Sequence, residues 1–399
     1  TGKYSTGSYN TFVGAEAGVG GTTSAPYSAG EQNTAVGYQA LKSFTNIDAS
    51  LNTAIGYQAG QSVQDGNANT YLGSRAGQAQ TVGDANLAIG DRALYSDTSG
   101  HRTIAIGKDA LHNFSGSGTT AFNSDITKII AIGYHAAYNM GSVPGGSFPN
   151  ATRSTNNIVI GYHAAQTHYA GGSNVVIGTE ALKGVPNYTV GSVYIGESSG
   201  QNVSSGSYNV AVGGYTGRYA TGSYNTFVGG LAGTGGTTSA PFSSGVQNIA
   251  MGYQALTAFT TGGQNIAIGH QASMGVSTGN ANVVIGRSSF SSATTTSNVV
   301  LIGDEAGKGI NNTGADGTVA IGYKALGAIT SPAGNTAIGY NAGHELVTGH
   351  SNTFIGYEAG GDFDGGESNM TAVGRNALGS ADNDSNSNCI AIGVNALEG

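Results

Sequence analysis

The sequence predicts an all-β protein, a parallel β-solenoid of about 21 short coils with a modal period of 17 residues. Three observations predict it. A nine-residue motif recurs along the whole chain, glycine supplies 69 of its 399 residues, and each motif opens with a short β-branched run.

Composition comes first. The glycine share is more than twice the usual value of about 7%. Charged residues make up 9%, where soluble proteins carry about 25%. Such a chain is either disordered or built from tightly turned repeats, and a hydrophobic content of 38% is high for disorder. The formal net charge is −8 and there is no basic run, so no nucleic-acid footprint is present. No stretch approaches the length of apolar sequence that spans a membrane. Cys389 is the sole cysteine, so no internal disulfide framework exists. The chain opens on Thr1 with no leader pattern, and the expectation is a processed product or a fragment.

The motif reads N-x-A-[IV]-G-Y-x-A-[GL]. Clear copies are NTAVGYQAL at residues 33–41, NTAIGYQAG at 52–60, NIAMGYQAL at 248–256, NTAIGYNAG at 335–343 and NTFIGYEAG at 352–360. Indexed on the central glycine, 21 copies run from Gly14 to Gly393, mostly 16 to 19 residues apart, with longer steps of 23, 26, 28 and again 23. Below, positions are counted from this glycine as zero. A longer repeat overlies the short one: TGKYSTGSYNTFVG from Thr1 returns as TGRYATGSYNTFVG from Thr216. The expected organisation is therefore a first solenoid block at residues 1–215 and a homologous block at 216–399.

Each coil can be read in order. Four residues such as Asn157-Ile158-Val159-Ile160 make a short strand. Seventeen residues leave no room for a helix beside it, but two short strands and two turns fit. The structural residues are the asparagines and glycines of the motif, with Asn33, Gly37, Asn52, Gly56, Asn248, Gly252, Asn335 and Gly339 as the clearest. The asparagine is placed to cap a turn and to stack as an amide ladder. The glycine marks a bend or a close backbone approach. The alanine at +3 is a tight packing position, and residues 61–68 are expected to supply the return strand. Positions −3, −2 and −1 are all apolar or β-branched, although successive strand residues face opposite ways. Both faces are therefore expected to be covered, the inner by the coil itself and the outer by another copy of the chain. At one strand spacing per coil, the stack would be on the order of 100 Å long.

The motif resembles the head repeats of YadA-like trimeric autotransporter adhesins. Its tyrosine form, NTAIGYQAG, is similar to repeats of phage tail fibres and of large bacterial surface proteins. The resemblance covers nearly the whole chain. It implies a left-handed β-roll, assembly as a homotrimer, and an extracellular, cell-surface or virion location. The coils here are longer than those of the adhesin heads, and no coiled-coil stalk or anchor barrel is present in this sequence.

Candidate sites follow from the long coils, because extra residues on a solenoid go into edge loops. The excursions are residues 18–32, 233–247, 111–128 and 138–156. Their candidate binding residues are Tyr27, Phe242, Phe114, Phe122, Tyr138 and Phe148. Tyrosines at +1, such as Tyr38, Tyr57 and Tyr340, are expected to form a column, either a packing ladder or a sugar platform. His135 and His163 are expected to stack. Residues 65–67 and 364–366 are glycine turns without the nonapeptide period of a calcium roll. No GxSxG, HExxH or CxxC motif and no singled-out carboxylate pair occurs. No catalytic residue, metal or cofactor is expected.

The sequence reading is an extracellular structural and adhesive fibre, a self-assembling homotrimer able to join end to end, which presents loops to a surface glycan or host receptor. A polysaccharide depolymerase of tail-spike type is the alternative, and needs two acidic side chains about 5–10 Å apart. An ice-binding solenoid is a weaker one, because the threonine column of Thr11, Thr34, Thr53 and Thr70 breaks at Leu87 and Ile104.

Overall fold

A computed structural model describes residues 1–21, 28–45, 49–114, 128–141, 155–184, 187–236, 243–292, 295–311, 313–330, 334–361, 365–379 and 387–397. Among these the protein is a parallel β-solenoid, with 21 three-residue strands and almost no helix. One 3₁₀ turn covers Thr313–Ala315. The chain divides into two compact units, Thr1–Ser205 and Gly206–Gly399.

In the first unit ten strands stack from Thr11–Val13 to Val193–Ile195. In the second, eleven stack from Val210–Val212 to Ile390–Ile392. Register is set motif on motif. Thr34, Ala35 and Val36 pair with Thr53, Ala54 and Ile55, and the alignment survives the long excursions, with Ile104 opposite Ile130 and Ile130 opposite Ile158. A parallel ladder lets each coil form its inter-coil hydrogen bonds only in step with its neighbour. The insertions therefore do not shift the rungs.

The core is a set of parallel columns that run along the stack. The residue at −2 points inward and is fully buried, as in Ala35, Ala54, Tyr71, Ala88 and Ala105, and so is the alanine at +3, as in Ala40, Ala59, Ala76 and Ala93. Volume is conserved between −2 and +4. Where −2 is alanine, +4 is often leucine, as in Ala35 with Leu41 and Ala88 with Leu94. Where −2 is aromatic, +4 is glycine. A Cβ on Gly60 or Gly77 would strike the Tyr71 ring, and one on Gly343 or Gly360 the Phe354 ring. An interior packed at crystal-like density permits such exchanges only in compensating pairs.

The coil is not the two-strand coil that the sequence implies. Residues 61–68 form no strand, and a return pairing occurs only locally, between His168–Ala170 and Asn187–Tyr188 and at the isolated bridges Ser5–Ser28 and Ala220–Ser243. After the strand, positive φ recurs at alternate residues: Gly37 at 133°, Gln39 at 58° and Leu41 at 46°. The alternation lets backbone groups point along the stack without β geometry. The Gln39 N–H donates to the Ala15 carbonyl at 3.0 Å, and the Leu41 N–H to the Ala59 carbonyl at 3.0 Å. A left-handed residue costs about 1–2 kcal/mol, which these inter-coil bonds help to offset.

Candidate functional site

The motif asparagines are structural, and the ladder is continuous over most coils. Asn33, Asn52, Asn248 and Asn335 are buried. The Asn52 backbone N–H donates to Asn33 Oδ1 at 2.9 Å, and Asn52 Nδ2 donates to the Gly66 carbonyl at 2.8 Å. Asn248 and Asn335 repeat this, donating to the Gly262 and Gly349 carbonyls. Each side chain thus joins its coil to a neighbour and closes the neighbour's turn. The glycines Gly37, Gly56, Gly252 and Gly339 all have φ between 131° and 145°. A Cβ on any of them would run into the carbonyl oxygen of the next coil's glycine.

The surface is a set of columns. The outward sheet face carries −3 and −1. Position −1 is Ile, Val, Leu or Met in all 21 coils. These side chains are half-buried or exposed, with Ile55, Ile338 and Ile355 at 40%, 38% and 38% of their full accessibility. Among the described residues no other element covers them. Soluble monomers seldom leave so continuous an apolar ladder in water.

Beside it runs the tyrosine column. Tyr38 and Tyr57 stack at 5.5 Å, Tyr134 and Tyr162 at 5.4 Å, and Tyr323, Tyr340 and Tyr357 at 5.1 Å per step, with interplanar angles of 6–18°. In such a stack each ring's faces are turned to its neighbours, and edges and hydroxyls meet solvent. That geometry is a packing ladder, worth about 0.5–1.5 kcal/mol per aromatic pair beyond burial. It leaves an interior ring no free face for a sugar.

The candidate loop residues divide. Phe114 is 3% exposed and belongs to the core. Tyr138 is half-buried and joins a cluster. Tyr27, Phe122, Phe148 and Phe242 lie outside the described residues. The cluster at Tyr138 contains residues the sequence reading did not single out. Asp109 is nearly buried; Arg92 Nη2 donates to its Oδ2 at 3.0 Å, with Arg92 Nε 3.0 Å from its Oδ1. His112 Nε2 and His135 Nε2 stand 3.6 and 3.5 Å from the same carboxylate. His112 is sandwiched between Tyr95 and Tyr138 at 4.8 and 5.0 Å. His135 and His163 do meet, edge to face at 5.0 Å, with His163 Nδ1 2.8 Å from Gln166 Oε1. Burial holds the His135 pKa below its ordinary value, Asp109 pulls it back up, and His163 and His112 push it down further. Column arithmetic carries the signal for this cluster: Arg92, Asp109, His135 and His163 all stand at +2, and Tyr95, His112 and Tyr138 at +5.

Among the described residues no group of three or more His, Cys, Asp or Glu side chains has a metal-holding arrangement. No described helix is long and apolar enough to cross a membrane. Fold and surface together define a β-solenoid repeat protein. No protein-family model matches the chain, and no curated protein sequence matches it.

Proposed function

We propose that this chain is an extracellular structural and adhesive fibre protein that self-associates through its outward sheet face. The apolar ladder at −1, unbroken in all 21 coils and uncovered by any described element, carries the reading. Stable protein interfaces bury about 1,200–2,000 Å² in total, and a column repeated at every rung offers an area that grows with coil number. A trimer is the assembly that the resemblance implies, and attachment to a surface glycan or receptor is the matching role. Asparagine ladder, glycine column and aromatic stacks supply stiffness in this reading, and the edge excursions supply presentation. Sedimentation analysis of the full chain tests it: a discrete oligomer is expected, and a stable monomer at micromolar concentration overturns it. Incubation with polysaccharides and a reducing-sugar readout separates attachment from depolymerisation. New reducing ends would favour the enzyme.

A further inference from the structure

At the Gly322 rung of the second unit the surface columns leave a cleft. At +5 the coils carry side chains that cover the +2 column, and several are glutamines: Gln61, Gln78, Gln166 and Gln201. Where they are present they hydrogen-bond across rungs, as Gln78 Nε2 does to Gln61 Oε1 at 2.8 Å. In the Gly322 coil this position is Gly327. The gap it leaves is about 260 Å³, lined by Glu305, Lys308, Lys324, Gly327, Ala328 and His344. A water molecule takes about 30 Å³ of liquid, so the cleft has room for one six-membered ring with its hydroxyl groups. It lies just below the range of about 300–1,000 Å³ typical of drug-sized ligands.

The charges in the cleft are unbalanced. Lys308 Nζ is 3.0 Å and Lys324 Nζ 4.0 Å from Glu305. Arg287 also approaches Glu305 at 3.9 Å, but it is answered by Asp304 at 2.8 Å. Within the lining two ammonium groups therefore share one carboxylate, and the Glu345 carboxylate lies outside it, 3.4 Å from His344 Nε2. His344 forms the far wall. Its Nδ1 is buried without a hydrogen-bond partner. The histidine at +5 in the first unit, His112, has a tyrosine on each face. His344 has glycine on both sides in its column, Gly327 and Gly361, and no described ring stacks on it. An imidazole with no described ring on it, in a lining with two ammonium groups to one carboxylate, suits a ligand with an apolar ring face, hydroxyls and one negative charge.

We infer that the Gly327 cleft binds an acidic sugar residue, with the sugar carboxylate between Lys308 and Lys324, the pyranose face on His344, and Glu305 accepting a hydroxyl hydrogen bond. This rests on the attachment reading and names its ligand class. Exposed pairs of this kind are screened by salt, so binding weakens as ionic strength rises.

The test is isothermal titration of the full chain with oligogalacturonate, with the neutral oligogalactan of the same length, and with acetate and phosphate. The discriminating variant is Gly327→Gln. Gly327 φ is not in the left-handed region, and a Cβ there stands 3.1 Å from the Lys324 carbonyl oxygen, a tight contact that a shift of a few tenths of an ångström relieves. Glutamine already occupies the same position in four other coils, so the fold is expected to keep its melting temperature and oligomeric mass. The expected result is uronate binding that falls at least tenfold in Gly327→Gln and in Lys308→Met, with the neutral oligomer inert. Equal uronate binding by both variants overturns the cleft while leaving attachment elsewhere on the chain intact. Competition by acetate or phosphate at equal concentration overturns the sugar and leaves a simple anion site. Absence of binding to oligogalacturonate by the wild-type chain also overturns the cleft, while the attachment reading is decided separately by its own test.

Discussion

The glycine that closes each strand meets two constraints at once. Its φ near 135° lies outside the conformations open to residues with a Cβ. Its missing side chain also lets the next coil's carbonyl approach. Relief of one constraint would not remove the other, which accounts for its presence in all 21 motifs. Gly56→Ala is therefore expected to cost about 2–4 kcal/mol, combining backbone strain with a forced shift of the neighbouring rung. Gly214→Ala is the control: its φ is ordinary and its Cβ would meet nothing within 4 Å, so a change within about 0.5 kcal/mol is expected. Because stability in a stacked array is local, hydrogen exchange over the coils on either side of each site is the measurement. Equal loss of protection in both variants would refute the account.

At the scale of the coil, two couplings can be separated. The first is steric. Phe354 fills space that Leu326-type side chains fill elsewhere, and Gly343 and Gly360 make room for it. Gly343→Leu is tolerated by the backbone, because Leu41, Leu94 and Leu111 adopt the same left-handed conformation at +4. Its expected penalty is the clash alone, about 1–3 kcal/mol. Phe354→Ala alone is expected to cost about 3–5 kcal/mol through its cavity. The double variant should recover at least about 1 kcal/mol relative to the sum, and strict additivity in denaturation would refute volume exchange.

The second coupling is electrostatic. His135 faces Asp109, His112, His163 and the Tyr134 and Tyr138 rings, with Arg92 already on Asp109. Its folded pKa is below the ordinary value of about 6.5. The unfolded chain then binds more protons than the folded one in the window between the two values. Stability from His135 is present above about pH 6.5 and is lost as pH falls through the lowered folded pKa. Protection of the Gly107, Gly133 and Gly161 coils against hydrogen exchange should fall as pH drops below about 6.5, and His135→Gln should flatten that fall. An unchanged pH profile in the variant would place the titration elsewhere.

For the whole molecule, the decisive feature is what the chain leaves uncovered. Ile338 and Ile355 sit on the outward face and are more than a third exposed. Replacing both by Lys removes little from the isolated chain, and its melting temperature as a monomer should change by no more than surface substitutions usually cause, within about 0.5 kcal/mol each. In an assembly through this face the same two charges would be buried without partners, which is strongly unfavourable. The expected outcome is a drop in sedimenting mass with an unchanged circular dichroism spectrum. Retention of the wild-type mass would move the interface to another surface.

Much of the fold was legible because each coil repeats one local pattern. The repeat glycine, the asparagine ahead of the strand, the inward −2 residue and the alanine at +3 each follow from strand periodicity or from a glycine requirement, and the structure places them accordingly. The return strand was misread, because a 17-residue period leaves room for a second short strand in residues 61–68. Their actual path depends on left-handed non-glycine residues such as Gln58 and Leu41, which inter-coil hydrogen bonds make tolerable. Such conformations have no signal in local propensity.

What the sequence determined by itself is thus the solenoid, its coil positions and its inner columns, since these depend on interactions within one period. What only the tertiary structure decided is which residues of different coils meet. Asp109 and His135 are 26 residues apart and adjacent in space, and Gly327 opens a cleft only because Lys308 and His344 stand one rung to either side. The hydrogen-bond register between coils of unequal length sets those neighbours, and that register is a property of the stack.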